Sequence, residues 1–216
     1  MLQTKPEGEI YLTATPVRIW HWLNAFGIVT LCITGIQIRF PEYANIFGTY
    51  KAAIKLHNIA GVTVSASFIL WIFYYLFVAR SLVKLYVPNL DDIKRGIFNQ
   101  AFFYFFTYFL GRQNPHVSTL DNKFNAIQKL SYLFIMFLLL PLVICTGILL
   151  MNIAPLREWI IMIGGIKFLV DGHYLIACSF FAFLCVHIYM ATLGHTPFSH
   201  FRQMWTGWEE LDTHPR

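Results

Sequence analysis

Four of the eight histidines in this 216-residue chain stand within or at the edge of long apolar runs: His21, His57, His173 and His187. Ionisable side chains are rare in such settings and are usually functional. His173 and His187 are fourteen residues apart. At about 100° per residue, that spacing returns both to nearly the same helix face. At about 1.5 Å per residue it separates them by about 21 Å along the axis, so they lie near opposite membrane surfaces. Two imidazoles on facing helices can fill both axial positions of one haem iron, which favours electron transfer over oxygen chemistry. The same residue types can also serve as hydrogen-bonded core groups or as a proton relay. A buried zinc site fits less well, because no carboxylate or cysteine joins the histidines in the sequence pattern.

The elements that position these residues follow from composition. Hydrophobic residues make up 57% of the chain and charged residues 12%, against about 45–50% and about 25% in soluble domains. Aromatic residues reach 18%, with 21 Phe, and the net charge is only +5. A water-soluble domain of this size cannot hide that much apolar surface, and disorder is excluded by the same numbers. The expected fold is all-α and integral to the membrane: a four-transmembrane-helix bundle, a single domain over residues 1–216, with short interfacial helices in its loops. A span needs about 20 mostly apolar residues. Four segments qualify, at residues 16–40, 56–83, 126–152 and 172–193. Thr15 is a candidate N-cap and Pro16 a good first helical residue for the first span, Pro141 lies inside the third, and Gly194 and Pro197 close the fourth. Three shorter apolar stretches, 43–54, 97–110 and 159–170, read as surface-lying pieces.

Basic residues orient the bundle. Eleven of the sixteen Lys and Arg fall in the N-terminus, the second loop and the C-terminus, and five fall in the other two loops. Both termini are therefore expected in the cytoplasm. The N-terminal residues lack the short apolar run and small-residue cleavage site of a removable signal, so the first span is expected to remain as an anchor. The charge is explained by this asymmetry and calls for no nucleic-acid partner. With this topology the histidines sort by depth into an external pair, His57 with His173, and a cytoplasmic pair, His21 with His187.

Cys32, Cys145, Cys178 and Cys185 lie singly in apolar runs and form no CxxC or CxxCH motif. Fe–S ligation, covalent haem attachment and a disulfide framework are thereby disfavoured, and the thiols read as small buried hydrophobes. Gly35 lies fourteen residues after His21, and Gly61 is one turn from His57. Both either make room for a flat macrocycle or permit close helix packing. The run Leu31–Ile36 in the first span is echoed by Val143–Ile148 in the third, with Cys-Ile-Thr-Gly-Ile in one and Ile-Cys-Thr-Gly-Ile in the other. That echo reads as small residues allowing close approach. Arg18, one turn before His21, can pair with a haem propionate or anchor the span at the cytoplasmic surface. Trp20 and Trp22 read as interface-belt aromatics. His116, His195, His200 and His214 read as solvated, and the pair His187 and His200 is rejected because helix breakers intervene.

The residues Arg18-Ile19-Trp20-His21-Trp22, Thr34-Gly35, His57, and His173 with His187 resemble those of di-haem b-type cytochromes. The group serves as membrane subunits of formate dehydrogenases, nickel–iron hydrogenases and thiosulfate reductases, within the prokaryotic cytochrome b561 group. Lys123-Phe124-Asn125-Ala126-Ile127-Gln128-Lys129 is similar to the formate dehydrogenase motif K/R-Y-N-x-G-Q-K, with Phe124 and Ile127 in place of Tyr and Gly, and Gly207-Trp208-Glu209-Glu210 also resembles the group. The resemblance implies two b haems, the external one held by His57 and His173 and the cytoplasmic one by His21 and His187. It also implies a menaquinone or ubiquinone site beside the cytoplasmic haem, with Asn125, Ile127 and Gln128 contributing and His187 alongside. The function so implied is an electron-transfer subunit of a respiratory oxidoreductase complex, and the location so implied is the inner membrane of a bacterium or archaeon. It runs between a periplasmic Fe–S or multihaem cytochrome c subunit and the quinone, with no substrate catalysis of its own beyond quinone turnover. The alternatives are a stand-alone b-type oxidoreductase acting on superoxide, ferric chelates or quinol, and a haem-free anchor or transporter with a histidine proton relay.

Overall fold

A computed structural model describes residues 4–5, 9–112, 114–116, 118–119, 122–193, 196 and 198–210. Gly194, His195, Pro197, His214 and Arg216 lie outside the described residues. In chain order the elements are β1 (Thr4–Lys5), β2 (Glu9–Tyr11), α1 (Thr15–Arg39), α2 (Tyr50–Phe73), α3 (Leu82–Tyr86), α4 (Ile97–Phe102), α5 (Ala126–Phe134), α6 (Leu140–Met151), α7 (Arg157–Met162), α8 (Gly165–Ala191), α9 (Ser199–Thr206) and β3 (Trp208–Glu210). Among the described residues, four continuous helical stretches are long and apolar enough to cross a membrane: Thr15–Arg39, Tyr50–Val78, Ala126–Met151 and Gly165–Ala191. The protein is a mainly helical, multi-pass membrane protein.

Two of these helices begin well before the expected spans. The second starts at Tyr50 and the fourth at Gly165, so residues 50–54 and 165–170 are spanning-helix turns and not loop pieces. Hydropathy marks where lipid begins, whereas backbone hydrogen bonding continues past it. Lys51 and Lys55 mask the first turns of α2. Lys167 and Asp171 mask those of α8, where they form an i,i+4 pair at 2.6 Å.

The third span changes winding part-way. Residues Ile135–Leu139 form a π-helical stretch between α5 and α6, followed at once by Pro141. Proline has no N–H to give to Phe137, and its ring crowds that carbonyl in an α-helix. A widened turn just before it relieves the conflict. The 97–110 stretch is also helical but irregular: α4, a π turn at Phe103–Thr107 and a 3-10 turn at Tyr108–Leu110. Phe98, Phe105, Phe106 and Phe109 are exposed along it.

The chain divides into two compact units. The first comprises Met1–Thr15, Ile72–Leu138 and Ala191–Arg216. Its three-stranded antiparallel sheet, in the order β1-β2-β3, pairs Ile10 with Glu209 and Tyr11 with Trp208. Gly207 makes this possible. Its φ is +88°, an added Cβ would collide with the Tyr11 ring and the Thr13 carbonyl, and its own carbonyl accepts from Leu12 and Thr13 N–H at 3.0 and 3.2 Å. Deeper in this unit, Lys123 Nζ donates to Thr13 Oγ1 at 2.9 Å, and Gln203 Nε2 donates to Glu209 Oε2 at 3.0 Å. Burial pulls the Lys123 ammonium down to about pKa 8, against an opposing pull from Glu209.

The second unit comprises Pro16–Trp71 and Leu139–Met190, and so holds most of α1, α2 and α8 together with α6. Asn24 Nδ2 donates to Ser67 Oγ at 2.6 Å and Trp20 Nε1 to the Ser67 carbonyl at 3.1 Å. Trp20 also stacks on Trp71, with ring centres 5.7 Å apart. Trp20 is thus an interhelical residue and not a belt residue, because its N–H finds a partner inside the bundle. The cysteines depart from expectation too: Cys145, Cys178 and Cys185 are exposed on helix surfaces and Cys32 is half-buried, all four as free thiols. In a membrane span an outward apolar thiol meets lipid at no desolvation cost, so composition alone does not turn it inward.

Candidate functional site

The four span histidines all belong to the second unit, and the structure brings them together two by two. His21 of α1 faces His187 of α8 with ring centroids 6.2 Å apart, and His57 of α2 faces His173 of α8 with centroids 6.3 Å apart. These are the pairs given by the depth argument. Phe183 stacks on His187 at 5.7 Å, and Trp22 meets His21 edge-on at 5.2 Å.

The separations leave room for one metal ion between the two rings of each pair. A metal–imidazole nitrogen bond is about 2.0–2.1 Å and the ring centre lies about 1.1 Å behind that nitrogen, so two rings trans across one ion have centroids about 6.3 Å apart. Among the described residues, no group of three or more His, Cys, Asp and Glu could hold a metal ion. Each pair therefore supplies two ligands only. That is the donor set of a six-coordinate haem, whose macrocycle provides the other four. The residues fit the group.

The walls fit as well. A Cβ on Gly35 would stand 3.7 Å from Cε1 of His57, and one on Gly147 would stand 3.5 Å from Cε1 of His173. Glycine leaves the edge of each ring clear of a side chain. Gly61 is different: a Cβ there would meet Leu31 at 3.9 Å. That neighbour lies on α1, at an ordinary packing distance. Gly147 was not singled out from sequence, although the echo of Thr34-Gly35 in Thr146-Gly147 was its signal. Both threonines touch a histidine. Thr34 Oγ1 lies 2.9 Å from Nδ1 of His57, and Thr146 Oγ1 lies 2.8 Å from Nδ1 of His173. Arg18 is half-buried on α1, one turn from His21, with its Nε withdrawn from solvent.

The second group of sequence-derived candidates lies in the first unit. Asn125 and Gln128 form a capping box at the start of α5: Gln128 N–H donates to Asn125 Oδ1 at 2.9 Å, and Asn125 N–H donates to Gln128 Oε1 at 3.0 Å. Asn125 Nδ2 also donates to the Tyr104 hydroxyl at 3.1 Å. Burial raises the pKa of that phenol. Ile127 is half-buried. Phe124 packs between Tyr132 and Tyr86, at 4.9 and 5.4 Å.

Two other histidines are less solvated than expected. His116 is half-buried, held by Asn114, whose Oδ1 accepts from the His116 N–H and from Gln100 Nε2 at 3.0 and 2.9 Å. Burial lowers its pKa. His200 donates from its ring to the Ala191 carbonyl at 3.3 Å.

A family model described as "Prokaryotic cytochrome b561" matches residues 12–207. The chain belongs to the prokaryotic cytochrome b561 family. Membership makes this cytochrome a membrane protein of b-type haem. It is 28% identical over 204 residues to the Escherichia coli cytochrome YdhU, covering 93% of this chain and 74% of that one. It is 26% identical over 195 residues to a formate dehydrogenase cytochrome b556 subunit of Haemophilus influenzae, covering 88% and 74%. A shorter match, 34% identical over 74 residues, links the cytochrome to a Ni/Fe-hydrogenase B-type cytochrome subunit of Rhodobacter capsulatus, covering 30% and 28%.

Proposed function

We propose that this cytochrome is the electron-transfer subunit of a respiratory oxidoreductase complex. In this reading His57 and His173 hold one b haem, and His21 and His187 hold a second. A redox partner subunit, of Fe–S or multihaem type, meets the first on the periplasmic side of the inner membrane. A menaquinone or ubiquinone meets the second near the cytoplasmic side. The observation that carries the reading is the pair of histidine separations, 6.2 and 6.3 Å, each matched to one iron. The similarity to cytochrome subunits of formate dehydrogenase and Ni/Fe-hydrogenase supports a partner subunit.

When bound, each haem would be held by its histidine pair and would supply a one-electron redox centre. The chain's own residues do the rest. His173 and His187 share α8, so one rigid helix fixes the depth of both ligand pairs. Arg18 presents a guanidinium suited to a propionate carboxylate. Gly35 and Gly147 keep the ring edges free. Asn125, Ile127 and Gln128 are the proposed quinone residues. Burial around Tyr104, Asn125 and Lys123 supplies hydrogen-bonding groups away from water.

The deciding experiment is haem content per chain, by pyridine haemochrome on the purified protein, followed by quinone-analogue titration of the reduced form. Two b haems per chain and a spectral response to the analogue are expected. A folded protein without haem overturns the reading.

A further inference from the structure

The two threonine contacts fix where the protons lie. A threonine hydroxyl carries one proton. Thr34 Oγ1 lies 2.6 Å from the Thr30 carbonyl, and Thr146 Oγ1 lies 2.8 Å from the Leu142 carbonyl. Carbonyls only accept, so each hydroxyl spends its proton one turn back along its own helix. Toward the histidine it offers a lone pair. Nδ1 of His57 and Nδ1 of His173 must then be the donors, at 2.9 and 2.8 Å. The proton on Nδ1 leaves Nε2 with its lone pair free on each ring. Thr34 is fully buried, so water does not compete for that bond.

The other pair is built differently. His21 Nδ1 is buried and has no hydrogen-bond partner among the described residues. The threonine contact belongs to one histidine pair, and there it is applied twice, from α1 and from α6, by the two halves of the sequence echo.

We propose that Thr34 and Thr146 are matched positioning residues. Each accepts the Nδ1–H of its histidine, commits Nε2 to the iron and makes the ring a stronger donor, so that the haem of His57 and His173 has a lower midpoint potential than it would without them. The inference rests on the reading of these histidines as haem ligands. Its physical basis is that an acceptor on the distal ring nitrogen fixes the tautomer and raises ligand basicity. A more basic ligand stabilises ferric over ferrous iron, which lowers the potential. The hydroxyl's own bond to a carbonyl polarises it as an acceptor and strengthens the effect.

The test is an equilibrium redox titration of the purified full-length protein, followed optically, for Thr34→Val, Thr146→Val and the double variant. Valine keeps the shape and removes the lone pair. The His57→Ala protein assigns the two waves. One wave, that of the His57 and His173 haem, is expected to move to higher potential in each single variant and further in the double, while the other stays. Ferric electron paramagnetic resonance is expected to change for the same haem only. Thr34→Ser and Thr146→Ser keep the hydroxyl and are expected to keep the wild-type potential. Thr30→Val is the control, because Thr30 makes the same back-bond, to the Phe26 carbonyl at 2.8 Å, with no histidine contact. Loss of one haem from the valine variants with retention in the serine variants also supports the proposal. Waves that ignore both threonines, equal movement of both waves, an equal shift in Thr30→Val, or haem loss in the serine variants overturns it. A wild-type protein that binds no haem overturns the ligand reading itself, which separates the two failures.

Discussion

Lys129 Nζ lies 2.9 Å from Oδ2 of Asp92, and the two side chains are unequally buried, 4% exposed for the lysine and 16% for the aspartate. The pair ties the π turn at Asp92–Gly96 to α5, at a point where a Cβ on Gly96 would stand 2.9 Å from that of Ala126. Burial alone would raise the Asp92 pKa. The Asn89 N–H and Lys129 outweigh it and hold the carboxyl below its usual range.

The unequal burial predicts an unequal cost of breaking the pair. Asp92→Asn keeps an acceptor for the Asn89 N–H but strands a buried ammonium, which costs about 3 kcal/mol or more. Lys129→Met strands a carboxylate that still reaches solvent and keeps its turn hydrogen bonds, at a cost of about 1–2 kcal/mol. The double variant should be less destabilised than the sum of the two. Thermal unfolding in detergent of the four proteins measures this. Equal single effects would mean that the burial difference carries no energetic weight.

On the proposed ligand assignment, His57→Ala and His21→Ala should each remove one haem and leave the other spectrally intact. Gly147→Leu should act like His173→Ala on haem content, since its side chain would overrun the edge of that ring. Gly147→Ala should retain the haem, because its Cβ at 3.5 Å is an ordinary contact. Pyridine haemochrome assays of these variants give the counts. Retention of both haems in either histidine variant would show that the pairing is not a ligand pairing.

Lys123 predicts a rise of stability with pH. Its folded pKa of about 8 lies below the ordinary 10.5, so between those values the unfolded chain binds more protons and stability increases as pH rises. The penalty for the buried charge is present below about pH 8 and is relieved progressively up to about pH 10.5. The full difference is on the order of 3 kcal/mol. Unfolding temperatures at pH 7 and pH 9.5 should therefore rise in the wild type and flatten in Lys123→Met. An identical slope in both would remove Lys123 as the cause.

The histidine pairs were legible because their signal is local: fourteen residues on one helix, and an ionisable group in an apolar run. The matched threonines were half legible. The echo was visible, but a hydroxyl in a helix normally bonds back to its own carbonyls, and its second contact depends on which helix lies opposite. The three strands were not legible. Thr4–Lys5, Glu9–Tyr11 and Trp208–Glu210 are short and mixed in polarity, and the last of them reaches Glu9–Tyr11 across a close approach that Gly207 permits. The early starts of α2 and α8 were hidden by charged residues that end the apolar run without ending the helix. Asn125 and Gln128 were legible as a helix start, and the observed hydrogen bonds form the cap; the cap carries no information on the quinone role proposed for them.

Gly27 carries the last prediction. A Cβ at Gly27 would stand 2.6 Å from Cγ2 of Val64, which is buried between α1 and α2. Real Cβ contacts are not that short, and Val64 has no flexible end to withdraw, so one helix must shift. In a membrane bundle such close approach is itself the attraction, through packing and not through water release. Gly27→Ala should destabilise the α1–α2 contact by about 1–3 kcal/mol. Because α1 and α2 each carry one histidine of a different pair, the shift should loosen both sites and lower haem retention on heating. Val64→Ala placed on top of Gly27→Ala removes the obstructing methyls and should restore most of the loss. Thermal melts followed at a haem absorption band test both steps. A double variant no more stable than Gly27→Ala would mean that Val64 is not the obstruction.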